Sequence, residues 1–129
     1  MKKTTFREFE IKPGVNITLG KDEISNDELM KKFRGKRNTI VHTSSPGSPF
    51  GVIEKLNPLK SEIETTSAIV ASYSQDWRDN KKDTSVDVFT GKDISKGFFM
   101  KAGTWKVKKS KKIKIKKSEI EKAIKKFRK

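Results

Sequence analysis

The sequence predicts a single α/β (α+β) domain: a mixed, mostly antiparallel sheet with one long helix packed on it and a basic helix at its end. Three observations predict it. Short β-branched runs recur between turn residues, one long alanine-containing stretch has helical spacing, and beyond residue 100 apolar residues alternate strictly with lysines. At 129 residues the chain has about one domain's length, enough to bury roughly two-thirds of its unfolded surface. The expected domain is 1–129, with a core over about 5–116 and a terminal helix over about 118–129.

Taken in order, Thr4 to Ile11 and Val15 to Leu19 read as strands joined at Pro13-Gly14, a turn pair. Ser25 or Asn26 can cap a short helix through Leu29, Met30 and Phe33, ended by Gly35. Thr39-Ile40-Val41 runs into His42, and Phe50-Gly51-Val52-Ile53 follows as a second buried strand. Between them lies the loop Thr43-Ser44-Ser45-Pro46-Gly47-Ser48-Pro49. Asn57-Pro58 starts the long helix, with Ser61 to Glu64 as a second capping pair. Its apolar stripe is Leu59, Ile63, Ala68, Ile69, Val70, Ala71, Tyr73 and Trp77, and Asp79-Asn80 closes it. Val86, Val88 and Phe89 form a strand ended by Gly91. After Gly97-Phe98-Phe99-Met100, the alternation of Trp105 and Val107 with lysines, then of Ile113 and Ile115 with Lys112, Lys114 and Lys116, predicts a hairpin turning near Lys109-Ser110. Ser118 with Glu121 fits a capping box. Ile120, Ala123, Ile124 and Phe127 stripe the last helix.

Composition narrows the functions. Hydrophobic residues make up 32% and charged residues 36%, with a net charge of +15, a globular chain with a basic bias rather than a disordered one. With no cysteine, disulfides, thiolate metal sites and thiol nucleophiles are excluded. No apolar run is long enough to span a bilayer, so neither export nor membrane insertion is expected, and the absence of cysteine permits a cytoplasmic setting. Residues 101–129 hold fourteen Lys or Arg against Glu119 and Glu121, a local net of +12 that leaves +3 for the first hundred. Such a gradient suits a polyanion, whose counterions are released as its phosphates are neutralised.

No constellation supports catalysis. One histidine without cysteine makes no metal set and no thiol pair. His42, alone after a strand, reads as a hydrogen-bonded structural residue rather than as a base or metal ligand. The serines around Pro46-Gly47 lack a Gly-x-Ser-x-Gly elbow; the loop serves either as a plain turn or as an anion-binding nest of backbone N–H groups. Glu62, Glu64, Asp76 and Asp79 are placed on the solvent side of the helix or at its end, not as a catalytic pair. The lysine alternation is either a protected edge strand or a nucleic-acid face.

In order, Ile17-Thr18-Leu19-Gly20-Lys21, Asn26-Asp27-Glu28-Leu29, a strand ending at His42, Pro46-Gly47-Ser48, the helix ending Ala71-Ser72-Tyr73-Ser74, and Val86-Asp87-Val88-Phe89-Thr90 follow one another. Over roughly residues 5–116 this series resembles the NFACT-R domain, the RNA-binding domain of the NFACT ribosome-quality-control factors, in its stand-alone form. The positions that carry over are Gly20, Asn26, His42, Pro46, Gly47, Ser48 and Ser74. The sequence departs from the family at Ile40 (an aromatic there), Asn38 (an acidic residue) and Pro49 (a second histidine). The resemblance implies RNA, ribosomal or transfer, as partner. It also implies a link to the large ribosomal subunit and to translation quality control.

The expected interface comprises Arg34, Lys36, Arg37, His42, Ser45, Gly47, Ser48, Lys106, Lys108, Lys112, Lys114 and Lys116, with no catalytic residue, metal or cofactor. Lysine is a point charge with little base-reading geometry, so contacts to phosphate and 2′-hydroxyl groups should dominate. A DNA-binding or chromatin-like protein and a ribosome-associated structural protein are the alternatives, and the sequence does not set the oligomeric state.

Overall fold

The alternation of residues 7–11 becomes β1 (Arg7–Lys12), which turns through Pro13-Gly14 into β2 (Val15–Leu19). The computed structural model describes residues 5–96 and 105–128. Thr4, from the expected first strand, and the Gly97-Phe98-Phe99-Met100 stretch lie outside them. The further elements are α1 (Glu23–Phe33), β3 (Thr39–Thr43), β4 (Gly51–Ile53), α2 (Lys60–Ser72), α3 (Gln75–Asn80), β5 (Thr84–Thr90), β6 (Ile94–Ser95), β7 (Lys106–Val107), β8 (Lys111–Ile115) and α4 (Lys117–Phe127). Strands β1-β2-β4-β3-β5-β8 form a six-stranded sheet in that order, and each pairing is antiparallel. The expected α+β domain with a mostly antiparallel sheet is therefore what forms.

Strand alternation sorts the core into two layers. Ile17, Leu19, Val41, Ile53, Val86 and Ile115 meet Ile69 and Val70 of α2 and Ile120 and Ala123 of α4 on one face. Ile40, Val52, Phe50 and Phe89 meet Leu29, Met30 and Phe33 of α1 on the other, where Ile94 and Trp105 complete the layer. The sheet thus carries a packed layer on each side, the α1 layer leaving the end of its face at Lys112 and Lys114 exposed, and its two edges are β1 and β8.

Several expectations are corrected. The single long helix is two: Ser74 Oγ accepts from the Trp77 N–H at 3.1 Å and donates to the Ala71 carbonyl at 2.7 Å, so the chain restarts as α3. Leu59 is not in the buried stripe but 54% exposed, because α2 begins one residue after it. Ser61 and Glu64 do not cap that helix; the Glu62 carboxylate does, accepting from the Leu59 N–H at 2.7 Å. Glu62 is not on the solvent side: its side chain is 2% exposed and held by Lys12 at 2.8 Å and Lys55 at 3.1 Å. These partners draw its pKa down to about 2, Lys12 foremost, then the Leu59 N–H, then Lys55, against the opposing effect of desolvation.

Helix α1 is capped by Asp22 rather than Ser25 or Asn26. Asp22 Oδ1 accepts from the Ser25 N–H at 2.8 Å while Ser25 Oγ accepts from the Asp22 N–H at 3.0 Å. Helix α4 has no Ser118–Glu121 box; Asp83, from the turn before β5, accepts from the Lys117 N–H at 2.8 Å. The C-terminal hairpin does not form either. β7 pairs with β6 in a separate ribbon, Ile94 opposite Val107, while β8 pairs with β5, Ile113 opposite Val86.

Candidate nucleic-acid interface

The loop between β3 and β4 is built by its own hydroxyls. Ser48 Oγ accepts from the Thr43 N–H and donates to the Pro49 carbonyl, both at 3.1 Å, and Thr43 Oγ1 donates to the Ser45 carbonyl at 2.7 Å. Gly47 sits at φ +92°, in the region that favours glycine. Its carbonyl accepts from the Gln75 N–H at 2.8 Å, tying the loop to the start of α3. The far end is clamped by Asn26, whose Oδ1 accepts from the Phe50 N–H at 3.0 Å, and by the Gly20 N–H, which donates to the Phe50 carbonyl at 3.1 Å. A Cβ on Gly20 would collide with Asn26 Oδ1. Gly20, Asn26, Gly47, Ser48 and Ser74 thus shape the loop. Ser48, an expected contact residue, is buried with its hydroxyl engaged inside the protein, whereas Ser45 and Gly47 are exposed.

His42 lies just before this loop, its ring 4.5 Å from that of Phe50. Its Nδ1 is 2.8 Å from the Thr43 carbonyl oxygen; a carbonyl only accepts, so Nδ1 carries the proton and donates. Burial pushes the imidazole pKa below its ordinary value, outweighing the Thr43 carbonyl, the Asp87 charge and the Ser48 backbone, which pull it up. In the neutral tautomer that this contact selects, Nε2 is an acceptor.

A cleft of about 570 Å³ opens beside the histidine. His42, Gly47 and Arg78 line it together with Arg7, Lys21 and Tyr73, and the acidic Asp22 and Glu23 lie on the same wall. The Ser25 N–H holds Asp22 below its ordinary pKa, so this carboxylate stays with its helix cap. The Arg7 and Arg128 guanidinium carbons lie 4.3 and 3.8 Å from the Tyr73 ring centroid. Arg78 and Arg128 donate to the Tyr73 and Ser72 carbonyls at 3.0 and 2.8 Å, satisfying acceptors left open where α2 ends. Each guanidinium has five donors, so these bonds leave others for an anion.

Beyond the cleft the sheet presents a basic face. His42 stands opposite Asp87, and Asp87 opposite Lys112; Ser85 stands opposite Lys114. Ser44 Oγ donates to Asp87 Oδ1 at 2.8 Å, and Lys112 Nζ is 3.8 Å from the same oxygen. Lys114, Lys81, Lys82 and Lys117 gather around Ser45 in a shallow depression, with Asp76 and Asp83 among its lining residues. Strands sit about 4.8 Å apart, so histidine and lysines occupy one continuous surface.

The expected residues therefore divide. His42, Ser45, Gly47, Lys112 and Lys114 come together, with Lys116 following on β8. Arg34, Lys36 and Arg37 are exposed but sit beyond α1, before Thr39, at the opposite end of β3 from the loop. Lys106 and Lys108 belong to the separate ribbon and its exit. Sequence reasoning missed Arg7, Lys21 and Arg78, single cations far apart in the chain that only the topology assembles. Tyr73 was within reach, since it lies in the matched Ala71-Ser72-Tyr73-Ser74 segment. Among the described residues no group of three or more His, Asp or Glu is placed to hold a metal ion, and no helix is long and apolar enough to cross a membrane.

A pinned loop, a cleft ringed by guanidinium and ammonium groups, and a lysine-coated sheet face next to it define a polyanion-binding module. The chain belongs to the NFACT protein RNA binding domain family, whose model matches residues 5–109; RNA is the partner class that membership gives. The fold is also similar to the solved C-terminal part of the fibronectin/fibrinogen-binding protein from Streptococcus suis, at 20% sequence identity and a TM-score of 0.80. That match covers 95% of this chain and 49% of the other, so the chain spans about half the length of that structure. No curated protein matches the sequence.

Proposed function

We propose that this domain binds structured RNA, ribosomal or transfer RNA, in the cytoplasm and in the service of translation or ribosome quality control, and that it catalyses nothing. The observation that carries the proposal is the continuous surface from His42 through Lys112 and Lys114, exposed lysines beside a cleft holding Arg7, Lys21 and Arg78, on a chain of an RNA-binding family. Lysines on a strand face grip phosphates without reading bases, so affinity is general and selection comes from RNA shape. The large ribosomal subunit is the natural place to find such RNA.

Crosslinking in cells followed by sequencing of bound RNA tests this reading. Ribosomal or transfer RNA should dominate the recovered fragments, and duplex DNA should compete poorly with that RNA in vitro. Recovery of unrelated messenger RNA, or equal competition by duplex DNA, would overturn it.

A further inference from the structure

We propose that the cleft beside the β3–β4 loop takes one unpaired ribonucleotide, and that His42 reads its 2′-hydroxyl through Nε2. The inference rests on the RNA-binding reading above and sharpens it by naming the group that distinguishes RNA from DNA.

Geometry supplies the acceptor. The Nδ1–H is committed to the Thr43 carbonyl at 2.8 Å and one ring face lies against Phe50 at 4.5 Å, so the imidazole is fixed in one orientation and one tautomer. The ring lines the cleft, and in the neutral ring with its proton on Nδ1 the other nitrogen, Nε2, is a lone-pair acceptor that pairs with a donor. Of the groups on an RNA backbone, phosphate oxygens only accept, while the 2′-hydroxyl also donates. A bare Nε2 therefore repels a phosphate oxygen and attracts a 2′-hydroxyl.

The walls supply the phosphate site. Arg7, Lys21 and Arg78 bring three cations to a cleft of about 570 Å³, within the range that encloses a single small ligand. Arg78 is anchored through the Tyr73 carbonyl and Gln75 Oε1 at 3.0 and 2.9 Å, which limits the freedom lost when it binds. A paired stretch does not fit: an A-form duplex offers its 2′-hydroxyls across a wide, shallow groove, whereas a concave cleft takes a nucleotide splayed from a loop or an end.

The test uses an RNA hairpin with an unpaired loop and the same hairpin with 2′-deoxynucleotides in the loop only, so the stem stays A-form. The wild-type domain should bind the all-ribose hairpin about five- to tenfold more tightly, the usual effect of one well-made hydrogen bond. His42→Phe, which keeps the ring stack on Phe50, should bind both hairpins alike. His42→Asn, which retains an acceptor oxygen, should keep part of the preference, and melting curves should show both variants folded. Equal wild-type affinity for the two hairpins would overturn the inference and leave RNA binding standing, and so would a preference that survives in folded His42→Phe. Failure to bind either hairpin would overturn both readings.

Discussion

The cleft and the lysine strand are neighbours on one surface but are made in opposite ways. The cleft is concave and assembled from Arg7, Lys21, His42 and Arg78, which come from four separate parts of the chain; its loop is held by hydrogen bonds at both ends. The strand Lys111–Ile115 is a sheet edge drawn from one continuous run, its lysines exposed on long flexible stems. Pre-organised groups in a concave site discriminate by geometry, while flexible surface lysines act as point charges and confer affinity on any polyanion. Under the proposed reading, affinity should come from the strand and choice of ligand from the cleft.

The largest expected effect comes from the buried side of the strand. Ile115 is 4% exposed and packs into the layer shared with α2 and α4, whereas Ile113 is only half-buried. Ile115→Lys puts a charge into that layer and should cost about 3 to 5 kcal/mol, enough to unfold a domain of ordinary stability. Ile113→Lys should cost clearly less, because its ammonium can reach water. Chemical denaturation of the two variants measures the difference; equal losses would mean that β8 does not alternate in this register.

On the exposed side the effect moves from stability to binding. Changing Lys112, Lys114 and Lys116 together to Glu shifts the local charge by six units and should weaken RNA binding about a hundredfold or more if each contact contributes about 1 kcal/mol. Melting should barely change, since Lys112 makes only a 3.8 Å contact with Asp87 and exposed pairs add little. With about six phosphate contacts, the parent's log–log salt slope should be on the order of −4 to −5, and the triple variant's shallower by about two to three. A folded triple variant binding like the parent would reduce the lysine face to a solubility device.

How much of this was legible depended on whether the cause was local. The Pro13-Gly14 turn, the β-branched run before His42 and the two-residue period of Ile113 and Ile115 are local, and each became the predicted element. Capping was half-legible. Ser118 and Glu121 have the right spacing, yet Asp83 caps α4 from another part of the chain, which spacing does not reveal. The hairpin expected near Lys109 failed for a similar reason. Period two says that a segment is a strand, not which strand it joins; Trp105 and Val107 belong to the α1 side of the core, and Ile113 and Ile115 to the α2 and α4 side. The motif residues marked the β3–β4 loop and the cleft beside it, while the scattered arginines had no pattern to find.

A scaffold control separates folding from both surfaces. Glu62 lies in neither region, and its pKa is lowered from an ordinary 4.5 to about 2 by Lys12, the Leu59 N–H and Lys55. A lowered folded-state value means that its stabilisation is complete above about pH 4.5 and is lost as pH falls toward 2. Glu62→Gln should therefore melt below the parent at neutral pH, with the gap closing as pH approaches 2, while RNA affinity of the folded variant at neutral pH stays the same. A constant gap across that range would place the loss in packing rather than in ionisation.

The smallest effect is expected from a single cation of the cleft, and it discriminates best between the two regions. Arg78→Ala removes one exposed guanidinium whose intramolecular bonds go to the Tyr73 carbonyl and Gln75, so stability should fall by at most about 0.5 to 1 kcal/mol, the scale of a helix-end interaction. One lost phosphate contact should reduce the salt slope by about one and the affinity severalfold. If the cleft holds an unpaired nucleotide, that loss should appear with a hairpin carrying an unpaired loop and be absent with a blunt RNA duplex. The lysine triple, by contrast, should weaken both ligands equally, since point charges on an edge strand do not distinguish paired from unpaired phosphates. Titrating the two variants against the two RNAs gives four ratios. A uniform loss for Arg78→Ala would make the cleft one more patch of the same electrostatic surface.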